Sequence, residues 1–218
     1  MLNQYYTVKP EGESEIVIQK SRFITYVRRT ETEEEAAAFI DEIKQRHRDA
    51  NHNCSAYMIG EHDLIQKAND DGEPSGTAGV PMLEVLKKRA LKDTCVVVTR
   101  YFGGIKLGGG GLIRAYGSAA SAGINATGVV ERRLGTVIRF QFDYGLLGKI
   151  ENEVRNSDYI LKDIAYEENV RMTCFVEAGG EDTFESWIAD LSSGQAAITR
   201  EGSEYIEIDV ALQGDERE

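Results

Sequence analysis

Two short stretches of this 218-residue chain carry the residue types that chemistry needs. The first is DDGEPSGTAG, which places the carboxylates Asp70, Asp71 and Glu73 within four residues and the hydroxyls of Ser75 and Thr77 just behind them. Paired carboxylates can hold Mg²⁺ or serve as acid and base. The same composition also builds an ordered turn, with Asp side chains accepting from nearby backbone N–H groups. An EF-hand loop is excluded because Glu does not recur at its twelfth position. The second stretch, FGGIKLGGGG, spans Phe102 to Gly111. Between a strand and a helix, its backbone N–H groups could cradle a phosphate with help from the helix dipole. It fits neither GxxxxGK[ST] nor GxGxxG. The alternative is a sharp turn with positive φ and a close helix–sheet approach. Arg100, Lys106 and Arg114 bracket the glycines and tilt the reading toward an anion. The candidate phosphate contacts are therefore Arg100, Tyr101, Gly103, Gly104, Lys106, Gly108, Gly109 and Arg114, with Lys87 and Lys88 upstream. His52 joins Asp70, Asp71, Glu73, Ser75 and Thr77 as a candidate pocket.

His47, His52 and Cys54 lie within eight residues, but no second ligand pair follows at zinc-finger spacing, so no metal site is expected. His52 and Cys54 would share a face of a strand, although no group that would orient them as base and nucleophile can be assigned. Cys95, beside Val96 to Val98, reads as a small buried apolar residue. Tyr57, Tyr101, Phe102 and Tyr116 could stack on bases or pack in a core.

Charge divides the chain. Residues 1–134 balance at 18 basic and 18 acidic, whereas 135–218 hold 7 and 19, which carries the whole net charge of -12. That shift marks a domain boundary between 134 and 135. Inside the neutral part, Lys87 to Arg114 contains seven basic residues and one acid, Asp93. Such a run is either a solvated face with scattered loop charges or a local anion-attracting surface. Hydrophobic residues at 41% exclude wholesale disorder. Three well-separated cysteines and an amino terminus without a basic-then-apolar segment lead to the expectation of a soluble cytoplasmic protein without disulfides.

Periodicity supplies the elements that would position these residues. Ile16 to Ile18 and Arg22 to Val27 read as strands. Thr32 and Glu35 form a capping box that opens a helix to about His47, with Ala36, Phe39, Ile40 and Ile43 inward. Ser55–Ile59 and Leu64–Ala68 form a hairpin, and Pro81 sits in the first turn of a helix carrying Leu83 and Leu86. The β-branched run Thr94–Tyr101 is a buried central strand, followed by the glycine loop and a small-residue helix over Leu112–Ala126. Beyond it come strand Thr136–Tyr144, helix Leu146–Asn156, strands Tyr159–Tyr166 and Val170–Val176, and a helix capped by Asp182. The strands Ile198–Arg200 and Tyr205–Leu212 close the sheet around Gly202. The order β-α-β-β-α-β is the ferredoxin-like split motif.

The ordered blocks DDGEPSGTAGVPML and VVVTRYFGGIKLGGGGLIRAY, within residues 17–130, resemble the IMPACT/YigZ family, and the tail from Thr136 resembles the small C-terminal domain of its bacterial members. The resemblance implies an α+β fold of two domains, an N-terminal one like the second domain of a small-subunit ribosomal protein and a C-terminal ferredoxin-like one. The same pairing resembles two consecutive domains of elongation factor G. Eukaryotic relatives regulate translation initiation with the help of an amino-terminal partner-binding domain, and the resemblance, confined to the other domains, leads to the expectation that this specific role does not carry over. The family motif covers His52, Asp70–Thr77, Gly79, Pro81, Arg100, Gly103, Gly104 and Lys106–Gly108.

Three functions are compatible with these readings. The first is a translation-associated protein that binds RNA or the ribosome weakly and salt-dependently through the basic glycine region, without catalysis or cofactor. The second is a Mg²⁺-dependent enzyme acting on a phosphorylated small molecule or nucleotide. The third is an adaptor whose acidic domain meets a basic protein partner.

Overall fold

The computed structural model describes residues 1–211. In chain order its elements are β1 (Gln4–Val8), β2 (Glu11–Ile18), β3 (Ser21–Arg29), α1 (Glu33–Arg46), β4 (His52–Ile59), β5 (Ile65–Asn69), α2 (Gly79–Lys88), β6 (Thr94–Tyr101) and α3 (Gly108–Thr127). They continue as β7 (Val129–Phe142), α4 (Leu147–Arg155), β8 (Ile160–Tyr166), β9 (Val170–Glu177), α5 (Glu181–Leu191) and β10 (Ala197–Asp209). The chain divides into two compact units. One is Tyr5–Glu131 with the stretch beginning at Ile208; the other is Arg132–Glu207 with Met1–Gln4. The division by contacts falls at 131/132, three residues before the charge shift. No helix among the described residues is long and apolar enough to cross a membrane.

The first unit is built on an antiparallel sheet of order β2-β3-β6-β4-β5. Its central strand β6 is buried from Thr94 to Arg100 because both faces are covered. Cys95 and Val97 pack with Ala36, Phe39 and Ile43 of α1. Val96 and Val98 point the other way, into a core shared with Met82 and Leu86 of α2 and Ala115, Tyr116 and Ala119 of α3. Side-chain alternation with period two makes this division. β2 escaped the apolar reading over Glu11–Glu15 because it is an edge strand whose residues alternate between exposed and half-buried. It turns into β3 through Gln19 and Lys20, both at positive φ (44° and 66°), as a two-residue primed hairpin requires. The helix cap forms as expected: Thr32 Oγ1 accepts from Glu35 N–H, while Glu35 reaches back to the N–H of Glu31, one residue before the usual box position.

Helix α3 lies close on the sheet. A β-carbon on Gly123 would come within 2.3 Å of Thr25 Cγ2, and Thr25 Oγ1 donates to the Ala119 carbonyl at 3.0 Å. The helix also starts earlier than expected. Gly108–Gly111 form its first turn, so the irregular segment is only residues 102–107. A first turn needs no N–H bond to an earlier carbonyl, and the buried anchors Leu112, Ala115 and Tyr116 extend the helix backward through the glycines.

In the second unit β9 pairs antiparallel with both β7 and β8, and β10 lies on β7. The order β10-β7-β9-β8 with two intervening helices is the expected ferredoxin-like arrangement. Two details differ from expectation. The N-cap of α5 is Gly180, which places Asp182 inside the first turn. β10 runs unbroken through Gly202, whose φ of +146° lets the strand pass without a break. The expected end of that strand at Leu212 lies outside the described residues.

Gly123 and Gly117 should respond in opposite directions. Gly123→Ala is expected to destabilise by about 1–3 kcal/mol through overpacking. A β-carbon on Gly117 meets nothing within 4 Å, so Gly117→Ala should stabilise by up to about 1 kcal/mol from helix propensity. Urea unfolding of the two variants measures both.

Candidate functional site

The polar loop 70–78 is organised by its own carboxylates. Asp70 accepts from the backbone N–H groups of Gly76, Ala78 and Gly79 at 2.7, 3.0 and 2.8 Å, and so caps α2 from outside the helix. Burial pushes its carboxyl upward, but these three donors outweigh burial and hold it below the ordinary carboxylate range. Asp71 accepts from Lys44 Nζ and from the Asn53 N–H, each at 2.7 Å. These partners likewise overcome burial and depress its titration. Thr77 donates to the Pro74 carbonyl, and Ser75 is exposed. Among the described residues no three His, Cys, Asp or Glu side chains converge as metal ligands.

Glu73 is the member of the trio that goes inside. It is 8% exposed, and its Oε1 accepts from Arg100 Nη1 at 2.7 Å and from the Tyr116 hydroxyl at 2.8 Å. Arg100, 5% exposed, also donates to Ser21 Oγ at 3.3 Å, with its guanidinium 5.4 Å from the Phe23 ring centre. His52 donates Nδ1–H to the Asp71 carbonyl, because a carbonyl can only accept, and its Nε2 lies 3.8 Å from the other Glu73 oxygen. Cys54 sits below, 3.0 Å from the Asp70 carbonyl and 3.4 Å from the Tyr116 oxygen. Burial pushes its thiol up to about 12, so it is no nucleophile. His47 is held elsewhere, between the hydroxyls of Tyr26 and Tyr101, and burial holds it below its ordinary range.

The start of α3 lies beside this network. A cavity of about 310 Å³ is lined by Glu73, Arg100, Phe102, Lys106, Gly108 and Gly109 among others. Arg100 Nε–H, fully buried, has no hydrogen-bond partner among the described residues. The electrostatics here invert those of α1, whose first turn carries Glu33, Glu34 and Glu35. The first turn of α3 has no acid, and Leu107 at the N-cap offers no side-chain acceptor. Lys106 is exposed, and Arg114 folds back so that its Nη1 comes within 3.7 Å of where a β-carbon on Gly110 would stand. Neither makes an ion pair among the described residues. Cations at the positive end of a helix dipole are unfavourable until an anion joins them. The glycines divide by purpose. A β-carbon on Gly103 would clash with the Lys20 backbone at 2.0 Å, whereas one on Gly109 meets nothing. Gly109 thus serves no packing need and leaves its backbone open to approach.

The basic run does not converge as a whole. Lys87 pairs with Glu84, Lys92 with Asp63 and Arg100 with Glu73. Arg89 at the end of α2 donates to Asn125 near the far end of α3, about 25 Å from Gly108 at 1.5 Å per residue. Lys87 and Lys88 therefore belong to a different region from the cavity. Their proximity in sequence to Arg100 misled because most of the length of β6 separates them, at about 3.3 Å per residue. Tyr57 and Tyr116 are buried and cannot stack on a ligand, whereas Phe102 is 46% exposed at the cavity.

The model of the Impact N-terminal domain matches residues 19–124, which span both the acidic loop and the glycine turn, and a domain of unknown function matches residues 140–195. An IMPACT family member of Bacillus subtilis, YvyE, is 60% identical over 95% of each chain. The chain belongs to the IMPACT family. A Saccharomyces cerevisiae protein named as an IMPACT homolog is 36% identical, over 40% of this chain and 35% of its own length. A crystal structure described as a hypothetical protein superposes with a TM-score of 0.59 at 31% identity, covering 91% of this chain and 97% of its own.

Glu73→Ala is expected to cost about 3–5 kcal/mol, because Arg100 is left as a buried unpaired charge. In a double-mutant cycle with Arg100→Met the double variant should lose less than the sum of the singles; additive losses would show that the pair is uncoupled. The depressed Asp70 carboxyl contributes stability above its unfolded value, near 3.9, and that stability is lost as pH falls through the folded value. Asp70→Asn should therefore lower stability at pH 7 by about 1–2 kcal/mol and flatten the fall in stability below about pH 4, as read by urea titrations across pH.

Proposed function

We propose that this chain is a translation-associated regulatory protein that binds RNA or the ribosome through phosphate groups held at the start of α3. The observation that carries the reading is the pair of unpaired cations, Lys106 and Arg114, at an uncapped helix N-terminus over a cavity lined by Arg100. A backbone phosphate would accept from the open N–H groups of the first turn and from these two side chains, and Phe102 offers an exposed ring for an unstacked base. The eukaryotic matches named IMPACT homologs and the translational role implied by the family resemblance support that setting. The acidic residues of 135–218 repel polyanions over a Debye length of about 8–10 Å, which keeps nonspecific binding weak. The enzyme reading loses support because Asp70, Asp71 and Glu73 are each engaged by different partners and present no common face to Mg²⁺.

The test is fluorescence anisotropy with a labelled single-stranded RNA at several salt concentrations. Affinity should fall as salt rises, with a log–log slope of about -0.7 per phosphate. Lys106→Ala/Arg114→Ala should weaken binding and make that slope shallower by about 1.4. Lys88→Ala, away from the cavity, should leave both unchanged. Binding indifferent to salt and to the double variant would overturn the reading. Arg100 is left intact because its loss would unpair Glu73.

A further inference from the structure

The acidic unit holds a cavity of its own, of about 730 Å³, whose walls include Tyr159, Ile160, Phe175 and Trp187 and whose rim carries Asp158 and Glu177. The aromatic groups are packed as a set. Tyr159 and Trp187 lie 5.3 Å apart between ring centres at 31°, and buried Phe184 backs Tyr159 at 4.7 Å. The lining is open, with Ile160 43% exposed. Its polar fittings are unspent. The Tyr159 hydroxyl, the Trp187 indole N–H and the exposed Asp158 carboxylate have no partner among the described residues. Glu177 is bound to Arg133 at 2.9 Å yet stays 62% exposed.

Aromatic walls beside a free carboxylate recognise a cation on an apolar stem, the chemistry of an arginine or lysine side chain. The surrounding sequence draws the same kind of ligand, since residues 135–218 carry 19 acids against 7 bases. The volume falls in the range of sites that enclose a ligand of many atoms rather than one ion. We propose that this cavity is the docking site for a basic peptide segment of a protein partner, with an arginine or lysine side chain laid against the open faces of Tyr159 and Trp187 and paired to Asp158. This proposal stands independently of the RNA reading, which uses other residues.

Trp187 is the sole tryptophan, so fluorescence excited selectively at tryptophan reports this cavity. The full chain is titrated with a blocked octapeptide of alternating Arg and Gly, and with the same peptide carrying Gln for Arg. The Arg peptide should give a saturable change that weakens with salt, and the Gln peptide none. Asp158→Asn and Asp158→Asn/Tyr159→Leu should weaken binding by about tenfold or more. Glu168→Gln, on the turn between β8 and β9, should leave it unchanged. Asp158 is exposed, so the single variant keeps the test valid if the double one fails to fold. Four results would overturn the proposal: no response up to about 1 mM peptide, an equal response to the Gln peptide, equal weakening by Glu168→Gln, or displacement of the Arg peptide by single-stranded RNA. Failure here with salt-sensitive RNA binding intact would leave the role of the α3 start unaffected.

Discussion

The buried carboxylate of Glu73 is the point on which the first unit turns. It comes from the polar loop, yet its partners come from β6 (Arg100) and α3 (Tyr116), with His52 of β4 close by. Removing a charge from water is tolerated only when it is paired and its remaining lone pairs are met. The loop, the end of the central strand and the third turn of the glycine helix are therefore held to one geometry. Ser21, on the hairpin turn, joins through Arg100 and through the N–H of Gly103. Rigidity of the α3 start follows from this network rather than from its own first turn, which is glycine and has no side-chain cap.

That division of labour explains an otherwise unfavourable run. Glycine lowers helix propensity by about 0.8–1.0 kcal/mol relative to alanine, and Gly109 answers no steric demand. Local stability has been given up where the backbone is open, beside cations that repel the helix dipole. Features that weaken a fold locally and are supported from below belong at sites of function. In the acidic unit the pattern differs: the ferredoxin-like sheet and helices are conventionally packed, and what stands out is an uncovered aromatic lining next to carboxylates.

Much of this was legible in the residues. The β-branched run of β6, the hairpin of β4 and β5, the period of α1 with its Thr32 cap, and the βαββαβ order could all be read locally, because burial writes a 3.6 period on a half-buried helix and a continuous apolar run on a strand covered on both faces. The two motif blocks carried the family. The strand Glu11–Glu15 was hidden, since an edge strand half open to water has no apolar run to show. The start of α3 was hidden too, since four glycines look like a loop until buried Leu112 and Tyr116 draw them into the helix.

Charge behaved differently. Residue types alone established which segments were rich in cations and that the acids gather after residue 134, and that count holds in any fold. Only tertiary structure decided which charges were left over. Glu73 and Arg100 stand 27 positions apart, and Lys92 and Asp63 stand 29. An ion pair depends on distances of a few ångströms in space, and it has no period along the chain by which it could be foreseen.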